Sequence, residues 1–217
     1  MSIADVRDAL TETLERFAPM TAIHYADNDF YELYLFSLVI VAAEAERGQI
    51  SFRNFNGGLS NALRFRRAPG ALHADGGFTH AVIEFQNREP LEAHIGIRVR
   101  GVSGQAHECD VGVLAQSECE RSRRFELLPR SKDLKLAVEA KYYSDTLPLY
   151  LGRGVLGLAR DFRNTPTVLA SNIDADNIVA MILHHNHHAN DLLTPASGNE
   201  DAFIRHIAGV FYKYSRG

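Results

Sequence analysis

Apolar residues near the start of the chain recur with the period of a helix. They fall every three or four positions between Asp5 and Phe17, so they share one face of an amphipathic helix over this segment. A longer helix is predicted over 29–48, where Gly48 follows its end. The middle of this second helix is apolar nearly all round, which predicts that it is buried.

From Phe78 onward the pattern changes to the two-residue period of β-strands. In IGIRVRG, the residues Ile95, Ile97 and Val99 alternate with Gly96 and two arginines, so we expect the three apolar side chains to share one face. Glycines at both ends of GVSG indicate a turn that joins two antiparallel strands. The predicted strands are FTHAVIEF (78–85), HIGIRVRG (94–101) and HECDVGVLA (107–115).

The remainder of the chain alternates between strands and helices. A polar, charged segment over 116–133 carries no clear period. The later elements are predicted as strand LKLAVEAKYY (134–143), helix 147–162, strand 166–170, helix 174 to about 188, and helix 200–214 after a loop at 195–198. A right-handed crossover joins the strands of 134–170 if they are parallel neighbours, while the earlier hairpin implies antiparallel pairs. We therefore expect an α/β fold with a central mixed β-sheet flanked by helices. One domain is predicted over 1–217, with its core at about 29–170 and the terminal helices packed on it.

Composition narrows the class of protein without naming a function. A transmembrane helix needs about 20 apolar residues in a row, and the chain has no such run and no signal-peptide pattern at its start. Two cysteines do not make a disulfide scaffold, which favours a reduced, cytoplasmic setting. The net charge of −4 argues against a surface coated in positive charge. It is compatible with a nucleic-acid enzyme, since acidic metal ligands lower the net charge by themselves.

Two charged residues stand in the apolar strand LAVEAKYY. Glu139 and Lys141 are two positions apart, so both side chains point to the same face of a strand. Burying charges is unfavourable unless they are paired or bind an ion. If the strand 107–115 is a neighbour, Asp110 lies close to Glu139, and two adjacent carboxylates suit a divalent cation such as Mg²⁺.

Asp110 followed by Glu139-Ala140-Lys141 resembles the motif of the restriction-endonuclease-like, or PD-(D/E)XK, nuclease superfamily. In that superfamily an aspartate on one strand meets an acidic residue and a lysine on the next strand. The resemblance implies a central mixed sheet with helices on both faces, and it covers roughly residues 29–170. Cys109 stands where the motif is written with proline.

The resemblance also implies a role for each motif residue. Asp110 and Glu139 would bind Mg²⁺, for which Mn²⁺ can substitute, and the Ala140 carbonyl would add a third oxygen. Lys141 would orient the attacking water and stabilise charge on the phosphate. A further carboxylate is expected on the helix before the sheet, and Glu32 is the candidate. Glu44 and Glu108 are the alternatives.

Basic runs are candidates for phosphate contacts. The first contains Arg64 and Arg66, and its alternation with apolar residues also fits an exposed strand face. The second contains Arg121, Arg123 and Arg124, which alternatively pair with nearby glutamates at positions 118, 120 and 126 on a solvated loop.

The run HHNHH at 184–188 invites a metal-site interpretation. His184 and His188 are four apart and would share a face if this segment is helical. A zinc site would need a third ligand, and the nuclease motif abbreviated HNH needs residues spread over tens of positions. The favoured interpretation is that these histidines form the polar C-terminal end of the predicted helix.

These observations predict a Mg²⁺-dependent endonuclease that acts on DNA in restriction or a similar defence. The chain shows no dedicated sequence-reading domain, so a homodimer or a partner specificity subunit is expected. No association with a membrane is expected. The alternatives are a catalytically silent binding or assembly subunit with the same fold, and a nuclease that acts on RNA.

Overall fold

A mixed β-sheet of seven strands forms the centre of the computed structural model, which describes residues 3–14, 27–60, 62–74, 76–163, 165–195 and 197–217. The described helices are α1 (Ile3–Leu14), α2 (Asp27–Ala45), α3 (Gln116–Phe125), α4 (Leu149–Phe162), α5 (Asp176–His184) and α6 (Asn199–Arg216), with a 3₁₀ turn at Ser131–Asp133. The described strands are β1 (Gln49–Arg53), β2 (His80–Glu84), β3 (Leu91–Arg100), β4 (Ala106–Ala115), β5 (Leu134–Lys141), β6 (Thr167–Ser171) and β7 (His188–Asn190).

The strands lie side by side in chain order. β1 to β5 pair antiparallel, whereas β5, β6 and β7 pair parallel, so the sheet is mixed as expected. The parallel pair β5–β6 is joined through α4, which satisfies the need of parallel neighbours for a long crossover. The antiparallel hairpin predicted around 101–104 is confirmed as the β3–β4 connection.

Helices cover both faces of the sheet. On one face, Val138 of β5 shares a buried cluster with Phe36 of α2 and Phe211 of α6. On the other face, Ala137 shares a second cluster with Phe162 of α4, and α5 packs beside α4 in a third. The apolar middle of α2 is buried, which confirms the prediction from its composition. The α/β fold with a flanked mixed sheet is therefore confirmed.

Three elements differ from the prediction. The edge strand β1 was not expected, because QISFR is too short to show a clear period. The polar segment after β4 forms helix α3, which buries Glu118 and Ser122 together with Cys119, its contribution to an apolar cluster. The helix predicted to reach about position 188 ends at His184, and His188 begins strand β7. Of the helix predicted over 5–17, residues 15–17 lie outside the described residues.

The apolar alternation in β3 breaks at one glycine. Gly96 has φ +57°, a left-handed conformation that glycine adopts without strain. Ile95 therefore packs in the α2 cluster, while Ile97 and Val99 pack in the α4 cluster. The expectation that these three side chains share one face was wrong, because a periodic pattern does not reveal a local reversal of the backbone.

None of the helices in the described part of the chain combines the length and the apolar character that a membrane span requires.

Candidate active site

The structure brings Asp110, Glu139 and Lys141 together between β4 and β5. The Lys141 ammonium nitrogen lies 3.3 Å from Asp110 Oδ2 and 3.2 Å from Glu139 Oε2. It also donates to the carbonyl oxygen of Ala140 at 3.0 Å. The three predicted motif residues are therefore in direct contact, although they are 31 positions apart at most.

Strand pairing explains why Asp110 reaches this point. The antiparallel pairing of β4 with β5 includes Val111 opposite Val138 and does not continue past that pair. Beyond it, the backbone N–H of Ala140 donates to Asp110 Oδ2 at 2.7 Å. The aspartate side chain thus supplies the acceptor that the strand backbone no longer provides, and a half-buried amide is satisfied.

Burial and like charge both act on Glu139. Its side chain is only 13% exposed, and its Oε1 atom is buried with no hydrogen-bond partner among the described residues. Burial and the nearby Asp110 carboxylate raise the pKa of Glu139 to about 8. Burial alone would lower the pKa of Lys141, but the two carboxylates outweigh it and raise that pKa above its ordinary value. The lysine is therefore charged at neutral pH.

Glu32 approaches the same cluster from α2. Its helix is placed by aromatic packing, since the Tyr31 ring lies 5.6 Å from the Tyr142 ring just after β5. Burial, and then the charge on Asp110, raise the pKa of Glu32 to about 8, and Lys141 opposes that shift. A carboxyl group that responds to Asp110 and Lys141 is electrostatically part of the site.

The two alternative carboxylates are placed less favourably. Glu44 is twelve positions after Glu32 on α2, which is about 18 Å along a helix. Glu108 is exposed and lies 4.0 Å from Arg98 on the neighbouring strand. Of the three candidates for the additional acid, Glu32 is therefore the one that the geometry favours.

Two arginines of the second basic run are held by internal carboxylates. Arg121 binds both oxygens of Glu118 at 2.8 and 2.6 Å, and Arg123 binds both oxygens of Glu92 at 2.8 and 2.6 Å. The alternative expectation, in which arginines of this run pair with nearby glutamates, holds for Arg121 and Glu118. These two guanidinium groups are therefore engaged before any nucleic acid binds.

The remaining predicted contact residues lie against aromatic rings. Arg124 lies 5.2 Å from the ring centre of Phe125, and Arg64 and Arg66 lie 5.5 and 4.5 Å from that of Phe78. Arg66 also donates to the carbonyl oxygens of residues 71 and 74. A small cavity beside Arg66 is lined by loop residues such as Phe55 and Phe78 and by His80, His94 and Arg123, and Lys141 is not among its lining residues. Phosphate contact by these arginines stays a prediction.

A second buried charged cluster went unnoticed in the sequence. Glu92 and His94 of β3 lie beside His80 of β2, with the His94 and Glu92 side chains 2.9 Å apart. Burial, and then the neighbouring His94, lower the pKa of His80 to about 3. Burial raises the pKa of Glu92, but hydrogen bonds from Arg123 and His94 outweigh it and lower that pKa. The signal was available, because Glu92-Ala-His94 has the same two-residue spacing as Glu139-Ala-Lys141.

In the part of the chain that the structure describes, two groups of three side chains have the spacing of metal ligands. They are the buried set His80, Glu92 and His94, and the set Asp174, Asp176 and Asp191, of which the first two are exposed. In the first set both oxygens of Glu92 already bind Arg123. In the second, Asp191 accepts the backbone N–H of Ala175, and Asp174 accepts the backbone N–H of Asp176. Among the described residues, Glu139 Oε1 is by contrast a buried carboxylate oxygen without a hydrogen-bond partner.

Comparisons of the chain with protein-family models, with curated proteins and with solved structures found no match. Support for a function therefore comes from the geometry of the site itself.

Proposed function

We propose that this protein is a Mg²⁺-dependent nuclease that hydrolyses phosphodiester bonds through Asp110, Glu139 and Lys141. The observation that carries the proposal is the position of the Lys141 ammonium group. It lies within 3.0 to 3.3 Å of Asp110 Oδ2, Glu139 Oε2 and the Ala140 carbonyl oxygen. These are the three oxygens that the PD-(D/E)XK resemblance assigns to the metal, and a positive charge is already stabilised among them.

The donor set suits a hard divalent cation. Mg²⁺ prefers oxygen ligands and commonly takes one or two carboxylates, with water and substrate phosphate completing its shell. The buried, unpartnered Glu139 Oε1 would gain a partner from a bound cation. Burial, and then repulsion from Asp110, raise the pKa of Glu139 and of Glu32, and a bound cation would oppose both effects by stabilising the ionised carboxylates. Mn²⁺ also accepts carboxylate and carbonyl oxygens and is expected to substitute.

Each protein group then has a defined task. When bound, the metal supplies a water of lowered pKa and polarises the phosphorus–oxygen bond. Lys141 keeps its charge at neutral pH, so it orients the attacking water and stabilises negative charge on the phosphate. Asp110 holds the site together by accepting the Ala140 N–H and the lysine N–H at once. Glu32 is the further carboxylate on the metal side.

DNA is the proposed substrate, and restriction or a similar defence is the proposed setting. A chain with net charge −4 has no net long-range attraction for a polyanion such as DNA. Two of its candidate contact arginines are also engaged internally. We therefore propose that a partner specificity subunit or a second copy of the chain helps to hold the DNA. In a homodimer the two sites would cut the two strands.

Cleavage of supercoiled plasmid by the purified protein with Mg²⁺ or Mn²⁺ tests the proposal. Asp110→Ala and Lys141→Ala are expected to abolish cleavage, as is a chelator. Glu84→Gln is the matched control, because it removes an exposed strand carboxylate from β2, outside the cluster. Cleavage that survives both alanine substitutions would contradict the proposed site.

Single-stranded DNA and RNA substrates complete the same experiment. Cleavage of RNA alone, with the same dependence on Asp110 and Lys141, would keep the chemistry and change the substrate. If none of these substrates is cleaved but nucleic acid still binds, the chain is the binding subunit of the alternative hypothesis, and the catalytic proposal fails.

A further inference from the structure

A cavity of about 460 Å³ lies at the end of β5 that is opposite to Lys141. It opens between the beginnings of β5, β6 and β7 and one side of α6. Lys135 lines it, and six residues of extended strand separate Lys135 from Lys141, which is about 20 Å. The cavity is therefore distinct from the candidate active site. The lining residues are Lys135, Arg163, Thr165, Pro166, Thr167, Asn186, His187, His188, His206, Val210, Lys213 and Tyr214.

The charged side chains that line this cavity are all positive. Lys135, Arg163 and Lys213 come from three separate elements, and none of the lining residues is acidic. The chain has more acidic residues, 27, than lysines and arginines, 23, so an acid-free lining does not follow from its composition. Within the described part of the chain, the three cations form no ion pair. An anion would supply the counter-charge that they lack.

The positive lining continues beyond this cavity. Two further depressions, of about 410 and 610 Å³, share Arg163 with it, and neither is lined by an acidic residue. One adds Lys132 and the other adds Arg160 with His185. Arg163 therefore lies where three basic depressions meet, which gives room for a ligand with more than one charged group.

Two histidines of the cavity form a stacked pair. The rings of His188 and His206 are 3.3 Å apart between centres and within 9° of parallel. Burial lowers the pKa of His188. Burial, then His188, then Lys213 lower the pKa of His206 to about 4. At neutral pH both rings are therefore uncharged, and they offer hydrogen-bonding nitrogens and a flat face beside the cations. The histidine run of the sequence thus contributes to a cavity wall instead of a helical metal site.

We propose that this cavity binds a phosphate-bearing ligand of nucleotide size. Phosphate oxygens are strong acceptors for lysine and arginine, and the volume lies in the range of small-molecule sites. The flat histidine pair and Tyr214 provide surface for the less polar part of such a ligand. The same chemistry is present in a free nucleotide and in a short stretch of nucleic-acid strand. The inference does not depend on the nuclease proposal.

Binding of three probes to the full-length protein, measured by calorimetry, tests the site. The probes are inorganic phosphate, ATP and a short single-stranded oligodeoxynucleotide. We expect saturable binding of ATP in competition with phosphate. Lys135→Gln, Arg163→Gln and Lys213→Gln should each weaken it about tenfold, since each removes one charge-assisted contact. Arg205→Gln is the matched control, because Arg205 is exposed on α6 and does not line the cavity.

The outcomes separate the two sources of phosphate. ATP that competes with phosphate and is not displaced by the oligonucleotide identifies a nucleotide site. Tighter binding of the oligonucleotide, weakened by the same three substitutions, identifies a strand-binding site. The three cavity substitutions lie outside the Asp110, Glu139 and Lys141 cluster, so their effect on ATP binding is a result separate from the test of catalysis. The proposal is overturned if no probe binds saturably at physiological salt, or if Arg205→Gln weakens binding as much as the cavity variants.

Discussion

Asp110 Oδ2 accepts a hydrogen bond of 2.7 Å from the backbone N–H of Ala140. The backbone pairing of β4 with β5 ends at Val111 and Val138, and this contact lies just beyond that pair. The strands separate at this point, and the aspartate side chain spans the gap. The carboxyl groups of Asp110 and Glu139 and the Lys141 ammonium group then meet in the space that opens.

Asp110→Asn should separate catalysis from folding. The asparagine oxygen can still accept the Ala140 N–H, so we expect stability within about 1 kcal/mol of wild type. The charge that pairs with Lys141 is lost, as is a metal ligand, and we expect at least about a 10²-fold loss of nuclease activity. Plasmid cleavage and urea unfolding on the same preparations measure both. Equal activity in Asp110→Asn and in the control Glu84→Gln would refute the role of Asp110.

Glu139 should make the metal-free protein less stable as the pH rises. Its pKa is about 8 in the folded protein against an ordinary 4.5, so the folded state holds its proton more tightly than the unfolded state. This contribution is present below pH 4.5 and is lost between about 4.5 and 8. Glu139→Gln removes the titration, and its stability relative to wild type should increase through that window.

Urea unfolding from pH 5 to 9 measures this difference. Glu84→Gln, at an exposed position of β2, is the control and should follow wild type at every pH. Mg²⁺ added at pH 8 should stabilise wild type and leave Glu139→Gln nearly unchanged. A constant stability difference between Glu139→Gln and wild type over this range would show that the carboxyl group is not perturbed.

Arg123 should prove to be a structural residue. Its partner Glu92 is fully buried, and removing one member of a buried ion pair typically costs about 3–5 kcal/mol. We expect Arg123→Ala to lose that much stability, while Arg124→Ala, one position along and exposed, changes it by less than about 0.5 kcal/mol. If Arg123→Ala does not fold, Arg123→Lys should fold with a smaller loss. Equal stability of the two alanine variants would contradict the buried pair.

His80 should contribute to unfolding in mild acid. Its pKa is about 3 in the folded protein against an ordinary 6.5, so below pH 6.5 the unfolded chain takes up a proton that the folded protein does not. Stability is therefore lost as the pH falls from 6.5 toward 3. Thermal unfolding between pH 7 and 5 should show a shallower pH dependence for His80→Gln than for wild type. His184→Gln, at an exposed position, should leave the slope unchanged; a matching slope in His80→Gln would count against the assignment.

Local spacing was enough to find two residues of the candidate site. Glu139 and Lys141 share a face because a strand alternates, and that holds wherever the strand lies. Assigning Asp110 to the site required one further condition, namely that its strand is the neighbour of the strand with Glu139 and Lys141. The structure meets that condition, because β4 pairs with β5. Glu32 depended on where a helix packs, and the electrostatic influence of Asp110 on it supports the choice.

The basic runs and the histidine run show what local sequence spacing does not predict. Whether Arg123 faces solvent depends on Glu92, which is 31 positions earlier in the chain. His188 leaves the helical pattern because its backbone pairs with Val168 of β6. The polar segment after β4 forms helix α3 although its sequence shows no apolar period. In the folded protein Cys119 joins an apolar cluster, and the buried Glu118 pairs with Arg121.

The sequence by itself determined the periods of most helices and strands, the class of fold and the shared face of Glu139 and Lys141. These follow from the repeat of the backbone, which is a local property. The tertiary structure alone decided which charges are buried against each other, where β3 changes face at Gly96, and which basic residues remain unpaired at the Lys135 end of β5. These depend on contacts between residues far apart in the chain, because the free energy of a charge is set by whatever surrounds it after folding.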